Sequence, residues 1–130
     1  MNLLIDTNIL IEIENGNKKI IDELEKIKFN KLYISSLTIS EFVDGSLKCS
    51  TAEQEKTLNA LKKYPVLNTT LSSSILLAHF SHVLTKKGRK IPLYDLVIAS
   101  IAVDNDAILL TMDNHFKRIP GLEVIFTQSK

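Results

Sequence analysis

Leu3-Leu4-Ile5-Asp6-Thr7-Asn8 opens the chain with three aliphatic residues that run directly into three polar ones. A short, continuously apolar run ended by a carboxylate reads as a strand buried on both faces that stops at the edge of a sheet. Moving outward, Ile20, Ile21, Leu24 and Ile27 recur at helical spacing as far as Lys28, and Leu32-Tyr33-Ile34 gives a second strand closed by Ser35-Ser36. The spacing predicts helices over Leu37–Leu47 and over Thr51–Lys63, the latter ending in Lys62-Lys63, which suits the negative end of a helix dipole. Val66-Leu67 after Pro65 reads as a third strand, and Ser72-Ser73-Ser74 begins a helix that runs through Leu84 and is stopped by Gly88. Tyr94 to Asp104 is apolar with small residues at Ala99, Ser100 and Ala102, as expected of a helix packed closely on a sheet. Ile108-Leu109-Leu110-Thr111 and Val124-Ile125-Phe126 complete the set as strands four and five. Strands separated by helices demand crossover connections, so the expected fold is a three-layer α/β/α arrangement around a central, mainly parallel sheet.

A chain of 130 residues fits one domain, expected to span residues 1–130, and no repeat or linker divides it. Its 45% hydrophobic and 24% charged residues place it among ordinary globular proteins, away from the disordered class. Cys49 is the single cysteine and cannot form an internal disulfide, while the amino terminus meets Asp6 too early for a signal peptide. Apolar runs are interrupted by Asp6, Asp95 and Asp104 before reaching the roughly 20 residues that span a bilayer, so a cytoplasmic location without membrane contact is expected. Net charge is only +1, which supplies no long-range field for phosphate. The local basic runs Lys86-Lys87-Gly88-Arg89-Lys90, Lys62-Lys63 and Lys117-Arg118 read as solvated helix ends.

In open α/β sheets the functional crevice lies beyond the carboxyl ends of the strands. Asp6 and Asp113 follow strands directly, Asp95 opens the small-residue helix, and Glu41 lies in the helix after the second strand. Each also has a purely structural reading: Asp6, Asp95 and Asp113 as helix N-caps, and Glu41 as the fourth residue of a capping box begun by Thr38. Four carboxylates gathered from distant segments repel one another unless a hard cation neutralises them. Oxygen-only ligands favour Mg²⁺, with Mn²⁺ as the alternative, and such an ion activates water and stabilises the leaving oxygen in phosphoryl chemistry. The remaining candidates read as structural. His79 and His82 lie one turn apart without a third ligand, His115 is at most a support beside Asp113, Asp44, Asp104 and Asp106 are solvated, and Cys49 has no neighbour that would activate its thiol.

The segments around the acids resemble the PIN-domain family, in particular its VapC-type toxin ribonucleases. Leu4-Ile5-Asp6-Thr7-Asn8 is similar to the family's opening strand. Ile39-Ser40-Glu41-Phe42-Val43-Asp44-Gly45 is similar to its second motif, an acid followed four residues later by glycine. Ile91-Pro92-Leu93-Tyr94-Asp95-Leu96-Val97-Ile98-Ala99 resembles the third, and Leu110-Thr111-Met112-Asp113-Asn114-His115-Phe116, with Arg118-Ile119-Pro120-Gly121-Leu122 behind it, resembles the closing motif. Lys48 to Lys90 matches no firm motif. The resemblance implies a divalent-metal site in which Asp6, Glu41 and Asp95 are the core acids and Asp113 the more variable fourth, with Asn8 and Thr111 steadying them. It further implies cleavage of single-stranded RNA, a cognate antitoxin of the VapB type, and homodimerisation, for which faces carrying Ile39, Phe42, Leu76 and Phe80 are the expected surfaces. Two other functions are compatible with the resemblance: an RNA-processing nuclease without antitoxin, and a non-catalytic RNA- or protein-binding domain.

Overall fold

The computed structural model describes residues 1–128. Strand β1 (Asn2–Ile5) leads into helix α1 (Thr7–Glu14), followed by α2 (Lys18–Glu25), β2 (Leu32–Ser35), α3 (Ser36–Ser46), α4 (Thr51–Leu61) and β3 (Val66–Leu67). Then come α5 (Leu71–Lys86), α6 (Leu93–Asp104), β4 (Ala107–Thr111), a 3₁₀ turn (Asn114–Arg118) and β5 (Val124–Phe126). The five strands form one sheet in the order β3-β2-β1-β4-β5, and every pairing is parallel. The expected α/β fold is present.

Alternation along each central strand sends neighbouring side chains to opposite faces. Leu4 and Leu109 join a core with Phe80, Leu84, Ile98, Ile101 and Phe116, which draws α5, α6 and the 3₁₀ turn onto one face. Ile5 and Leu110 join Ile9, Leu10, Ile20 and Ile34 on the other, which draws in α1 and α2. Leu3, Leu4 and Ile5 are completely buried, and this two-sided burial is why β1 carries no alternating polar residues. Ala99, Ser100 and Ala102 of α6 are buried as well, letting the helix lie close against the sheet and α5.

Several expectations need correction. Residues 7–14 form a separate helix that Asp6 caps, as its N-cap reading anticipated, though it is too short for periodicity to delimit; Gly16, with a φ of 76° that suits a residue without Cβ, follows its end, and Asn17 caps α2 through its side-chain oxygen. Of the residues expected on dimer surfaces, Phe80 is buried, while Leu76 is half-buried against the α5/α6 core and Ile39 and Phe42 are half-buried against the opposite core. Their helical spacing marked the inward faces of α3 and α5. The large exposed apolar side chains of α5 are Leu71 and Ile75 instead. Asp104 does more than meet solvent, since its carboxylate accepts a 2.8 Å hydrogen bond from the hydroxyl of Thr70, the N-cap of α5. Among the described residues no helix is long and apolar enough to cross a membrane.

Candidate metal centre

From β1 the chain winds outward to β2 and β3, then returns to place β4 on the other side of β1. This reversal opens a crevice beyond the carboxyl ends of β1 and β4, the position at which doubly wound sheets bind ligands. Asp6 ends β1 there. Its backbone N–H donates to the carbonyl of Leu110, so the two strand ends are locked side by side. One carboxylate oxygen accepts from the Thr7 N–H at 2.8 Å, making Asp6 the cap of α1, and the other accepts from the Thr111 hydroxyl at 2.8 Å. Thr111 in turn accepts from the N–H of Asp113 at 3.0 Å, so one buried hydroxyl ties the acids after β1 and β4 together.

Glu41 is held differently. Thr7 donates its hydroxyl to Glu41 Oε1 at 2.7 Å and lies 3.0 Å from the hydroxyl of Thr38. Ser35 donates its hydroxyl to Thr38 at 3.3 Å and accepts from the Thr38 N–H. Each hydroxyl carries one proton, so the proton of Thr38 must point to Thr7, giving a one-way relay Ser35→Thr38→Thr7→Glu41. The capping box read between Thr38 and Glu41 is therefore absent: Ser35 caps α3, and Glu41 is oriented from β1's side of the crevice. The contribution of Thr7 and Thr38 was missed in the sequence, although Thr7 directly follows Asp6.

Asp95 lies in the first turn of α6, where the helix dipole favours an anion, but it caps nothing: Pro92 occupies the N-cap without a side-chain bond. Asp113 caps the 3₁₀ turn by accepting from the His115 N–H. His115 Nδ1 lies 3.3 Å from Asp113 Oδ1 and 3.6 Å from Asp95 Oδ2, more intimate than the supporting place expected of it. These three residues have ligand atoms close enough to share one cation. Asn8 stands in the first turn of α1, with its side-chain oxygen shielded from solvent and unpartnered among the described residues. His79 and His82 are exposed on α5, away from any such group among the described residues.

Electrostatics couples the acids. Burial pushes the Asp6 carboxyl from the ordinary 3.8 up to about 6; the hydrogen bonds from Thr111 and Thr7 oppose this, and the charges of Asp95 and Glu41 add to it. Asp95 is also raised, first by burial and then by the charge of Asp113, with His115 opposing and Glu41 adding. Asp6, Glu41, Asp95 and Asp113 thus feel one another within a single crevice, and a cation is what relieves such crowding. Hard oxygen donors, a shielded amide oxygen nearby and carboxyls resisting ionisation fit a divalent ion of the Mg²⁺ or Mn²⁺ kind. Glu41 also stands where two clefts meet. One, of about 490 Å³, is walled by Ser40, Glu41, Asp44 and Tyr94. The other, of about 220 Å³, runs between α1, α3 and α4 along Ile11, Phe42, Gly45, Cys49 and Thr57.

An all-parallel five-stranded sheet whose reversal brings acids from β1, α3, α6 and the end of β4 to one crevice is the PIN-like α/β/α arrangement. The chain belongs to the PIN-domain family, whose pattern it matches over residues 3–122. It is similar to ribonuclease VapC1 of Rickettsia felis, with 30% identity over 136 residues, covering 100% of this chain and 99% of the relative. It is also similar to ribonuclease VapC3 of Methanocaldococcus jannaschii, with 35% identity over 101 residues, covering 78% of this chain and 98% of the relative. Among solved structures, the VapBC2 complex of Rickettsia felis bound to a DNA fragment from its promoter contains a chain that superposes with a TM-score of 0.87 at 28% identity, covering 98% of this chain and 100% of that one.

Proposed function

We propose that this protein is a Mg²⁺- or Mn²⁺-dependent endoribonuclease that acts as the toxin of a toxin–antitoxin pair. The observation that carries the reading is the coupling of four carboxylates in one crevice, with Asp6 raised to about 6 by burial and by its neighbours' charges. Asp6, Glu41, Asp95 and Asp113 would hold the ion, which supplies charge neutralisation and activation of water toward a phosphodiester. The chain's own residues provide the preorganisation. Thr111 fixes Asp6 and Asp113, the hydroxyl relay through Thr7 fixes Glu41, and His115 partly offsets the paired charges of Asp95 and Asp113. Relatives named ribonuclease support RNA as the substrate, and structural neighbours that are toxin–antitoxin complexes support a protein partner.

The partner is a small antitoxin that lays an apolar segment in the groove of Ile11, Phe42, Gly45 and Thr57 and directs a basic side chain past Glu41 to the acids. A guanidinium suits that end, because its fixed fork of donors matches paired carboxylates and competes with the metal for the same oxygens. Two measurements test the proposal. Purified protein should cut single-stranded RNA in Mg²⁺ or Mn²⁺ and stop in chelator, and Asp95→Asn should be inactive with or without metal; chelator-resistant cleavage would remove the metal from the reading. Expression of the chain alone should arrest growth, with rescue by co-expression of the adjacent small protein. Harmless expression combined with metal-dependent cleavage in vitro would replace the toxin with an RNA-processing nuclease.

A further inference from the structure

Tyr94 immediately precedes Asp95, yet its ring is 52% exposed while α6 buries most side chains from Leu96 to Ala102. The ring walls the 490 Å³ cleft on one side, and Ser40, Glu41 and Asp44 of α3 wall the other. Neither Tyr94 nor Asp44 spends its polar group on a hydrogen bond or ion pair with a described residue. Asp44 lies one turn beyond Glu41 on α3, so the two carboxylates stand on neighbouring parts of the same wall. The cleft is of ligand size, within the usual range of about 300–1,000 Å³. It also opens directly onto the acid centre through Glu41.

A phosphate cannot be the natural occupant of this cleft, because Glu41 and Asp44 would repel it. A flat, uncharged group that can stack on Tyr94 and donate a hydrogen bond to Asp44 fits the walls, and a nucleobase is such a group. Resting on the nuclease reading above, we propose that Tyr94 and Asp44 form a nucleobase subsite beside the metal centre: the ring stacks one unpaired base of single-stranded RNA, and the Asp44 carboxylate selects bases carrying an exocyclic amino group. Adenine and cytosine present an exocyclic amino donor at N6 and N4 and guanine one at N2, whereas uracil has no amino group and flanks its single N3–H with two carbonyls, which a carboxylate disfavours. Stacking on an aromatic side chain tolerates any base, so Tyr94 supplies affinity and Asp44 the discrimination. The exposed run Lys86, Lys87, Arg89 and Lys90 enters α6 from its amino-terminal side and forms no ion pair with a described residue. Only Ile91, Pro92, Leu93 and Tyr94 separate Lys90 from Asp95, so the two Cα atoms lie within about 18 Å at full extension.

The chain contains no tryptophan, so Tyr94→Trp creates a single tryptophan whose emission, excited at wavelengths where Tyr33 and Tyr64 do not absorb, reports on this position alone. Eight-nucleotide oligo(rC), oligo(rA) and oligo(rU) are mixed with this variant in Mg²⁺, and the signal is read before turnover. Quenching is expected with all three, with about ten-fold tighter binding of oligo(rC) and oligo(rA) than of oligo(rU), and Asp44→Asn should collapse that preference. In cleavage assays Tyr94→Ala should raise KM by between about five- and a hundred-fold with a smaller change in kcat, and Tyr94→Phe should restore the parental KM. A thermal shift with Mn²⁺ that matches the parent's shows that Tyr94→Ala is folded with its metal site intact. Unquenched fluorescence, or a parental KM for Tyr94→Ala while the parent cleaves RNA, overturns the subsite and leaves the nuclease standing. Quenching with equal affinity for all three oligomers overturns the assignment to Asp44. If the parent neither binds nor cleaves these RNAs in Mg²⁺ or Mn²⁺, the nuclease reading fails and the subsite fails with it.

Discussion

Asp6 performs two jobs whose demands conflict. As the cap of α1 and acceptor from Thr111 it must be a good hydrogen-bond acceptor, yet it is 6% exposed and crowded by Asp95 and Glu41. Raising its pKa from 3.8 to about 6 means that the metal-free fold is favoured with this carboxyl protonated. That stabilisation is fully present below pH 4 and is lost as pH rises through about 6, a loss of about 3 kcal/mol at ~1.36 kcal/mol per unit. Asp6→Asn keeps an acceptor for the Thr7 N–H and removes the charge. In chelator at pH 7 it should therefore melt above the parent, with a flatter dependence between pH 4 and 6, while cleaving RNA slower by orders of magnitude. A variant that cuts RNA at the parental rate would reduce Asp6 to a cap. Thr111→Val keeps the shape but strips the hydroxyl from Asp6 and from the Asp113 N–H, so a loss of about 1–3 kcal/mol is expected in urea unfolding.

At the scale of elements, short loops turn strand ends into helix starts, which is how the acids are presented. β2 passes into α3 with no intervening loop, and Ser35 serves as both last strand residue and N-cap. Thr38→Val would interrupt the hydroxyl relay between Ser35 and Thr7 while leaving the Ser35 cap in place. Its expected signature is weaker Mn²⁺ affinity by about three- to ten-fold with secondary structure retained, in keeping with loss of one supporting hydrogen bond; unaltered metal titration would deny the relay a role in orienting Glu41. Gly45 has no neighbour within 4 Å of where a Cβ would sit and has no left-handed backbone to protect. Gly45→Ala should accordingly stabilise α3 by about 0.5–1 kcal/mol. Because Gly45 lines the groove between α1, α3 and α4, the same methyl should weaken binding of the proposed antitoxin measured by calorimetry.

For the whole molecule, the proposed centre of mutually repelling carboxylates would make a divalent cation a stabilising ligand of the folded state alone. Added Mn²⁺ should raise the melting temperature in a concentration-dependent way, by about 2.7 kcal/mol of stability when the ion is a hundred times its Kd. Asp95→Ala should blunt that response. A melting curve unchanged across millimolar Mn²⁺ would count against a metal centre formed by Asp6, Glu41, Asp95 and Asp113. With a net charge of only +1, the proposed nuclease would have to hold RNA through local contacts rather than draw it in by a global field.

Order and type of the main elements were legible because burial imposes periodicity: β1 and β4 are buried on both faces and read as continuous apolar runs, and α6 shows its close packing in Ala99, Ser100 and Ala102. The acids were legible through their place after strands and their resemblance to family motifs. What each acid touches was not. Asp6 and Thr111 are 105 residues apart and Thr7 and Glu41 are 34 apart, and these contacts exist only because β1 lies between β4 on one side and β2, which leads into α3, on the other. The short α1, the relay from Ser35 to Glu41 and the bridging place of His115 followed from tertiary packing, as did the inward turn of Ile39, Phe42, Leu76 and Phe80. A sequence pattern records that a helix has an apolar face; only the folded chain decides whether that face meets the core or a partner, because both remove it from water equally well.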